Sequence, residues 1–394
     1  MGIILNNDQI NAVYEGERWN KSGMNQIFEI SGAAGTGKTT IAKYLIDKFG
    51  LSLDEVLCVA YMGKAALQLS RSGLPAKTIH SACYDYIKIL DKDENGNIQF
   101  YPSGKPKTKF TFVKKEKLPK HIKLILLDEA GMVPENMAKD LISFGIPIMA
   151  LGDLNQLPPV FGKPYFLQYP DVILNQIMRQ AEGNPIIYLA HRILNYKELQ
   201  YGVYGSSCVI NKNDLNDYTF LHSDIILTGT NRLRWEINSL FREHLLPNIK
   251  PNKLNIGEKI ICRKNNWNKS INDTIYLTNG LSGFVVYVDY EKFDGKKLKI
   301  DFRPDFINKS FKNLTIDFEH LFSNPKDDKE FDPFNFVLNK FEFANAITVH
   351  LSQGSQWPSV LFLKEKMLSM TKETYKKLLY TAITRAEQRI TIAI

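Results

Sequence analysis

The run Gly32-Ala33-Ala34-Gly35-Thr36-Gly37-Lys38-Thr39 constrains this chain more than any other. It fits the pattern GxxxxGK[ST] and sits between an apolar stretch, Ile27–Ile30, and a segment with helical spacing. In that strand-turn-helix context a glycine-rich loop wraps phosphates with its backbone N–H groups, a lysine reaches the outer phosphates and a hydroxyl ligates Mg²⁺. Lys38 and Thr39 take the last two roles, and Gly32, Ala33, Ala34, Gly35, Thr36, Gly37 and Thr40 complete the candidate nucleotide cradle. The following segment puts Ala42, Leu45, Ile46 and Phe49 on one helical face and stops at Gly50, a residue suited to a helix C-terminus.

A phosphate loop of this kind needs a parallel sheet behind it. Buried-strand runs rich in Ile, Val and Leu recur at Val56–Tyr61, Leu124–Leu127 and Ile146–Leu151. The third run ends in Asp128-Glu129, two carboxylates at a strand's C-terminal end, where open α/β sheets bind ligands. Asp128 would join Thr39 on Mg²⁺, and Glu129 would orient or deprotonate an attacking water. The fourth run leads into Gly152-Asp153-Leu154-Asn155-Gln156-Leu157-Pro158-Pro159-Val160, in which Gln156 is placed to sense a terminal phosphate. An ordinary Asx turn is the competing account of that segment.

A second α/β series follows residue 170, with strands at Ile225–Leu227, Ile347–Val349, Val360–Leu363 and Ile390–Ile394 and a helix at Lys376–Ala382. Two stretches break the pattern. Residues 84–120 hold the turn sequence Asp93-Glu94-Asn95-Gly96-Asn97 and a Lys-rich arm and read as a β-hairpin insertion; residues 257–340 alternate apolar and polar around Asn279-Gly280 and Asp294-Gly295 and read as a small β-barrel.

With 394 residues, two or three packed units of roughly 100–200 residues are expected. Lys and Arg number 50 against 42 Asp and Glu, a net +8 that favours a polyanionic partner. The four cysteines, Cys58, Cys83, Cys208 and Cys262, are too scattered for a metal knuckle or a disulfide framework. The first residues lack a secretory pattern, and no run of about 18 apolar residues occurs, so the expectation is a soluble, cytoplasmic chain with no membrane partner.

In order and wording these motifs resemble superfamily 1 helicases of the RecD-like and phage Dda-like branch, over Asn6 to Ala393. The resemblance implies two RecA-like domains, 1–165 with the hairpin insertion (84–120) and 166–394 with an SH3-like barrel insertion (257–340). It assigns Gln9, in Leu5-Asn6-Asn7-Asp8-Gln9, to the adenine edge. Arg179, in Leu174-Asn175-Gln176-Ile177-Met178-Arg179-Gln180, and Arg385, in Tyr380-Thr381-Ala382-Ile383-Thr384-Arg385, become arginine fingers. Gln356 stands where relatives carry Glu beside the ribose, so that contact loses charge assistance.

For polynucleotide contact the resemblance nominates Tyr61, Lys64, His80, Pro158, Thr230, Asn231, Thr348, His350 and Ser352, with a core histidine as the alternative account of His350. Met62 stands where relatives often have Thr, which removes a hydroxyl. In the hairpin, Lys105, Lys107, Lys109, Lys114, Lys115, Lys117, Lys120 and Lys123 surround Phe110 and Phe112, either a stacking and backbone-tracking arm at a duplex fork or a solvated face.

The implied activity is an ATP- and Mg²⁺-dependent DNA helicase moving 5′→3′ on single-stranded DNA and forked duplexes, alongside replication or recombination proteins. Two rivals share its motifs: a single-strand-stimulated ATPase that remodels protein–DNA complexes without separating strands, and a non-catalytic ATP-dependent clamp. A GTPase is disfavoured by the lack of an N-K-x-D tetrapeptide at a strand end.

Overall fold

A computed structural model describes residues 5–93, 96–101, 103–158, 164–178, 183–246, 249–250, 252–271, 275–323 and 338–394, apart from the side chains of Lys109, Phe110 and Trp267. The chain divides into two compact units: Met1–Gly32, Lys38–Gly152 and Phe161–Leu174 form the first, and Ala33–Gly37, Asp153–Val160 and Asn175–Ile394 the second.

In the first unit, strands β1 (Ile27–Gly32), β2 (Val56–Ala60) and β3 (Ala76–Thr78) precede a hairpin of β4 (Tyr84–Leu90) and β5 (Thr108–Lys114), then β6 (Leu124–Asp128), β7 (Ile148–Gly152) and β8 (Val172–Leu174). Six of them form one sheet in the order β3-β2-β6-β7-β1-β8, parallel at every pairing. Leu124 to Leu127 are all buried, which is why the strand reads as an unbroken apolar run. The fourth expected strand begins two residues later than Ile146, at Ile148, because Pro147 has no N–H to donate. β8 pairs with β1, so the first unit's sheet extends past the expected division at 165/166. The opening helix, Asn7–Ser22, starts in a capping box in which Asn6 and Gln9 satisfy each other's backbone amides. Helix Lys38–Lys48 buries Ile41, Ala42, Leu45 and Ile46 against the sheet, and Gly50 turns left-handed (φ 68°) beyond it.

The hairpin insertion is present, but its turn differs from expectation. β4 and β5 pair from Tyr84 with Lys114 to Leu90 with Thr108, and residues between them carry two tight reversals rather than one. Asp93 and Asn97 close the first, Tyr101 and Lys105 the second, and bridges at Lys92 with Ile98 and Phe100 with Pro106 tie them together.

In the second unit, β9 (Gly202–Tyr204), β10 (Ser207–Ile210) and β11 (Ile225–Thr228) precede an inserted sheet of β12 (Lys259–Cys262), β13 (Asn266–Ile271), β14 (Ile275–Leu277), β15 (Ser282–Asp289), β16 (Lys297–Pro304), β17 (Phe311–Asp317) and β18 (Phe341–Phe343). The main fold resumes with β19 (Ala346–Thr348), β20 (Trp357–Leu363), helix Lys372–Ile383 and β21 (Ala386–Ala393). Its sheet runs β19-β11-β20-β21-β10-β9, parallel except for β9. The insertion is a five-stranded antiparallel sheet, β17-β16-β15-β12-β18, beside the pair β13-β14. Its own core includes Ile260, Leu298, Ile300, Phe302, Phe311 and Phe341. Gly280 and Gly295 adopt the left-handed backbone that their Asn-Gly and Asp-Gly turns call for.

A buried ionic arrangement fastens this insertion to the rest of its unit. Arg242 donates from Nε to Glu258 at 2.6 Å and from Nη2 to the Lys253 carbonyl at 2.8 Å, while Phe343 and Phe322 cover its guanidinium at 4.2 and 4.8 Å. Arg234 and Arg263 both pair with Glu342 on β18. Among the described residues no helix is long and apolar enough to cross a membrane. Because Glu258 is only 2% exposed, Arg242→Ala leaves a charge buried without its partner and is expected to lower unfolding stability by about 3–5 kcal/mol. Urea denaturation of Arg242→Met/Glu258→Leu should show a smaller loss than either single change.

Candidate functional site

Strands β1 and β6 of the first unit lead into the candidate hydrolytic groups. β1 leads into the glycine loop, where Gly35 and Gly37 take φ values of 81° and 86° that only glycine adopts at little cost. Thr36 Oγ1 donates to the Ala33 carbonyl at 2.8 Å, and Lys38 Nζ donates to Gly32 O at 2.6 Å, folding the ammonium back over its own loop. No acidic residue occupies the first turn of helix Lys38–Lys48, so the positive end of its dipole is uncompensated by side chains there.

Asp128 ends β6. Burial, and then the neighbouring Glu129 charge, hold its carboxyl above the usual range, against the Glu129 amide and the Lys38 ammonium. Glu129 itself lies at φ 52°, ψ 40°, a left-handed conformation unfavourable for a residue with a Cβ, and its amide donates to Asp128 Oδ1 at 3.0 Å. Strain of this sort persists where the surrounding structure imposes it. A desolvated carboxylate beside a second one suits a divalent cation, and Asp128 with the Thr39 hydroxyl supplies oxygen donors for Mg²⁺. No group of three or more His, Cys, Asp or Glu suited to a metal occurs among the described residues, so such an ion would complete its shell with water and phosphate oxygens.

Within the second unit, Arg385 is 2% exposed and its guanidinium donates to several acceptors. Nε donates to Thr381 O (3.0 Å), Nη1 to Ser355 O (3.2 Å), and Nη2 to Thr384 Oγ1 and Gln156 Oε1 (both 3.1 Å). The two residues read separately as a phosphate sensor and a finger are thus in direct contact. Gln356 donates to Thr384 O at 3.2 Å, the turn that carries Arg385. Asp153 does form the Asx turn, accepting from Asn155 N at 2.9 Å.

Sequence reasoning missed the partner of that turn. Tyr380 Oη donates to Asp153 Oδ2 at 2.6 Å and accepts the Ala34 amide at 2.7 Å, its own acidity suppressed by burial and the Asp153 charge. His191 lies beside Ala34 and Asp153, kept below its ordinary pKa by burial. His191 lies on a helix that carries no motif, and Tyr380, though it heads the motif that ends in Arg385, showed no sign of a partner 227 positions away. Met178 N donates to Gly35 O at 2.9 Å, which fixes the residue preceding Arg179 against the glycine loop. Arg179 itself lies outside the described residues. Gln9 is buried, and its Oε1 accepts the Asn6 amide at 3.1 Å, so the capping box uses the side chain nominated for adenine.

The polynucleotide candidates sort unevenly. Tyr61 and Lys64 follow β2, half-buried at its C-terminal end. Met62 is the N-cap of helix Gly63–Arg71 and makes no side-chain cap, consistent with the missing hydroxyl. His80 and Phe112 need correction. Phe112 lies near the hairpin base, packed on His80 (4.8 Å), Tyr86 (5.1 Å) and Tyr84 (6.1 Å), and burial holds His80 below its ordinary pKa. Phe112 on β5 meets His80 of the short helix Ile79–Cys83 that leads into β4, so the two rings pack together at the hairpin base. The Phe110 side chain is outside the description. At the tip, Phe100 and Tyr101 are 56% and 51% exposed, a pair the sequence reading passed over in favour of Phe110 and Phe112.

Pro158 is exposed. Thr230 caps helix Asn231–Leu240, accepting Leu233 N at 3.2 Å, and Asn231 is exposed beside it. Thr348 and His350 are half-buried at the end of β19, with burial lowering the His350 pKa. Ser352 is overturned as a strand contact: it is fully buried, and its hydroxyl donates to Val349 O at 2.7 Å, one turn back.

Comparison with known proteins agrees with this geometry. The AAA domain family matches residues 18–162 and the UvrD-like helicase C-terminal domain family matches residues 343–393. The ATP-dependent RecD2 DNA helicase of Deinococcus radiodurans is 27% identical over 390 residues, covering 91% of this chain; the chain spans 46% of that relative's own length. Among solved structures, one of two coordinating Pif1 helicases at forked double-stranded DNA has a TM-score of 0.51 at 19% identity, covering 99% of this chain and 92% of the other. A Bacteroides Pif1 helicase in complex with ADP-AlF3 and single-stranded DNA has a TM-score of 0.50 at 17% identity, with coverage of 99% and 92%. These likenesses identify the two parallel sheets as RecA-like folds. In sequence the chain is similar to superfamily 1 helicases of the RecD kind.

Proposed function

We propose that this chain is an ATP-driven DNA helicase that moves 5′→3′ along single-stranded DNA and opens forked duplexes. The observation that carries a hydrolytic reading, rather than a binding clamp, is Glu129 held at φ 52° directly after the Asp128 carboxylate. A clamp needs phosphate ligands but has no use for a strained carboxylate at the strand end.

In this reading the glycine loop and Lys38 hold the phosphates, Asp128 and Thr39 hold Mg²⁺, and Glu129 takes the proton of the attacking water. The ion supplies charge neutralisation between the outer phosphates. Gln156 and Arg385, already bonded to each other, respond together to the terminal phosphate, with Arg179 as a second guanidinium; such a finger is worth about 10³–10⁵ in rate in other NTPases. Gln9 reads adenine, Gln356 the sugar. The two RecA-like domains divide near the end of β8 rather than at 165/166, and the five-stranded insertion is taken as SH3-like.

Tyr61, Lys64, Pro158, Thr230, Asn231, Thr348 and His350 would line the strand path, with the hairpin tip at Phe100 and Tyr101 as the separating element. The RecD2 relative is named a DNA helicase, which supports the substrate assignment.

Lys38→Ala should abolish ATP turnover while single-strand binding, followed by fluorescence anisotropy, survives; equal loss of both would mean the loop is structural. Glu129→Gln should retain ATP binding and lose about 10²–10⁴ in turnover. Phe100→Ala/Tyr101→Ala should spare DNA-stimulated phosphate release and stop unwinding of a 5′-tailed fork; unwinding at the wild-type rate would favour a translocase that never separates strands. Equal unwinding of a 3′-tailed fork would overturn the polarity.

A further inference from the structure

The turn nominated for backbone-phosphate contact in the second unit already holds an anion of the protein's own. Glu365 Oε2 accepts the Gly229 and Thr230 amides at 2.6 and 2.9 Å, and its Oε1 accepts the Thr230 hydroxyl at 2.7 Å. Three donors converging on two oxygens of one carboxylate is the pattern a phosphodiester would meet at the same turn. Gly229 makes room for it: a Cβ there would lie 3.0 Å from Glu365 Oε2 and 3.1 Å from Met367 Sδ. The Glu365 carbonyl accepts Tyr375 Oη at 2.7 Å, which seats the segment joining β20 to helix Lys372–Ile383.

We propose that Glu365 is an internal competitor for the DNA backbone: its carboxylate fills the Gly229–Thr230 donors in the strand-free protein and must leave before a phosphate can take them. The inference rests on the reading of Thr230 as a strand contact. It goes further in naming a side chain that sets how tightly the strand is gripped. The displaced segment leads directly into the helix whose last turn carries Thr381, and Thr384 and Arg385 follow it. Entry of a phosphate therefore acts on the element that positions Arg385, a route by which strand binding reaches ATP turnover.

Binding of a fluorescein-labelled oligothymidylate by the full chain tests this. Glu365→Gln keeps the shape but replaces charge-assisted bonds with neutral ones, and it should tighten strand binding by roughly tenfold and lower the DNA concentration needed for half-maximal ATPase stimulation. Glu236→Gln removes the same charge from the exposed side of the adjoining helix, where Glu236 faces Arg232, and should change affinity by less than about twofold because salt screens it.

Adding Thr230→Ala to Glu365→Gln should erase the gain. Thermal unfolding checks that each variant is folded, and Glu365→Ala serves should the amide variant not be. Equal effects of Glu365→Gln and Glu236→Gln, weaker binding by Glu365→Gln, or a gain that survives Thr230→Ala would each overturn the competition while leaving a strand-binding ATPase intact. Failure of both the wild-type chain and Glu365→Gln to bind any strand would overturn the helicase reading and this inference with it.

Discussion

Parallel pairing governs this protein. In a sheet whose strands all run one way, every C-terminal end emerges at one edge, so β1, β6 and β7 all end on one side of the first unit although over a hundred residues separate the first from the last. The second sheet repeats the arrangement, with β11 ending at the Gly229–Thr230 turn and β19 at Thr348 and His350. The candidate catalytic and gripping groups therefore sit on loops whose roots are fixed by buried Ile, Leu and Val ladders.

Charge placement follows the same economy. Several buried polar groups are given defined partners: the Arg385 guanidinium donates to two carbonyls, a hydroxyl and Gln156, and Arg242 lies against two phenylalanine rings with Glu258 at its end. A buried guanidinium held this way has few alternative positions, so a small change in any one partner alters the others. Tyr380, with one oxygen serving both Asp153 and the Ala34 amide, is a connector of the same type.

Much of this was legible in the residues. The glycine loop, the apolar strand before Asp128-Glu129, the two insertions and the left-handed glycines of their turns all follow from local rules of backbone sterics and periodicity. Legibility failed where a role depends on what folds back against a residue. Phe112 sits in a basic, aromatic-interleaved arm and reads as a stacking residue, yet strand pairing turns it onto His80, Tyr84 and Tyr86. Ser352 belongs to a motif that reads as strand-facing, yet a tight turn points its hydroxyl at Val349. Gln9, nominated for the adenine edge, also closes a capping box through its oxygen, a second use that the motif did not announce.

The sequence by itself determined the fold class, the order of the phosphate-handling motifs and the chemistry they can perform, because spacing, apolar runs and glycine positions are local properties that need no knowledge of neighbours. Only the tertiary structure decided which side chains meet. The Arg385–Gln156 contact spans 229 positions, Tyr380–Asp153 spans 227 and Glu365–Thr230 spans 135. Pairings at that separation are set by how sheets and loops pack together, and no periodicity in a linear chain encodes them.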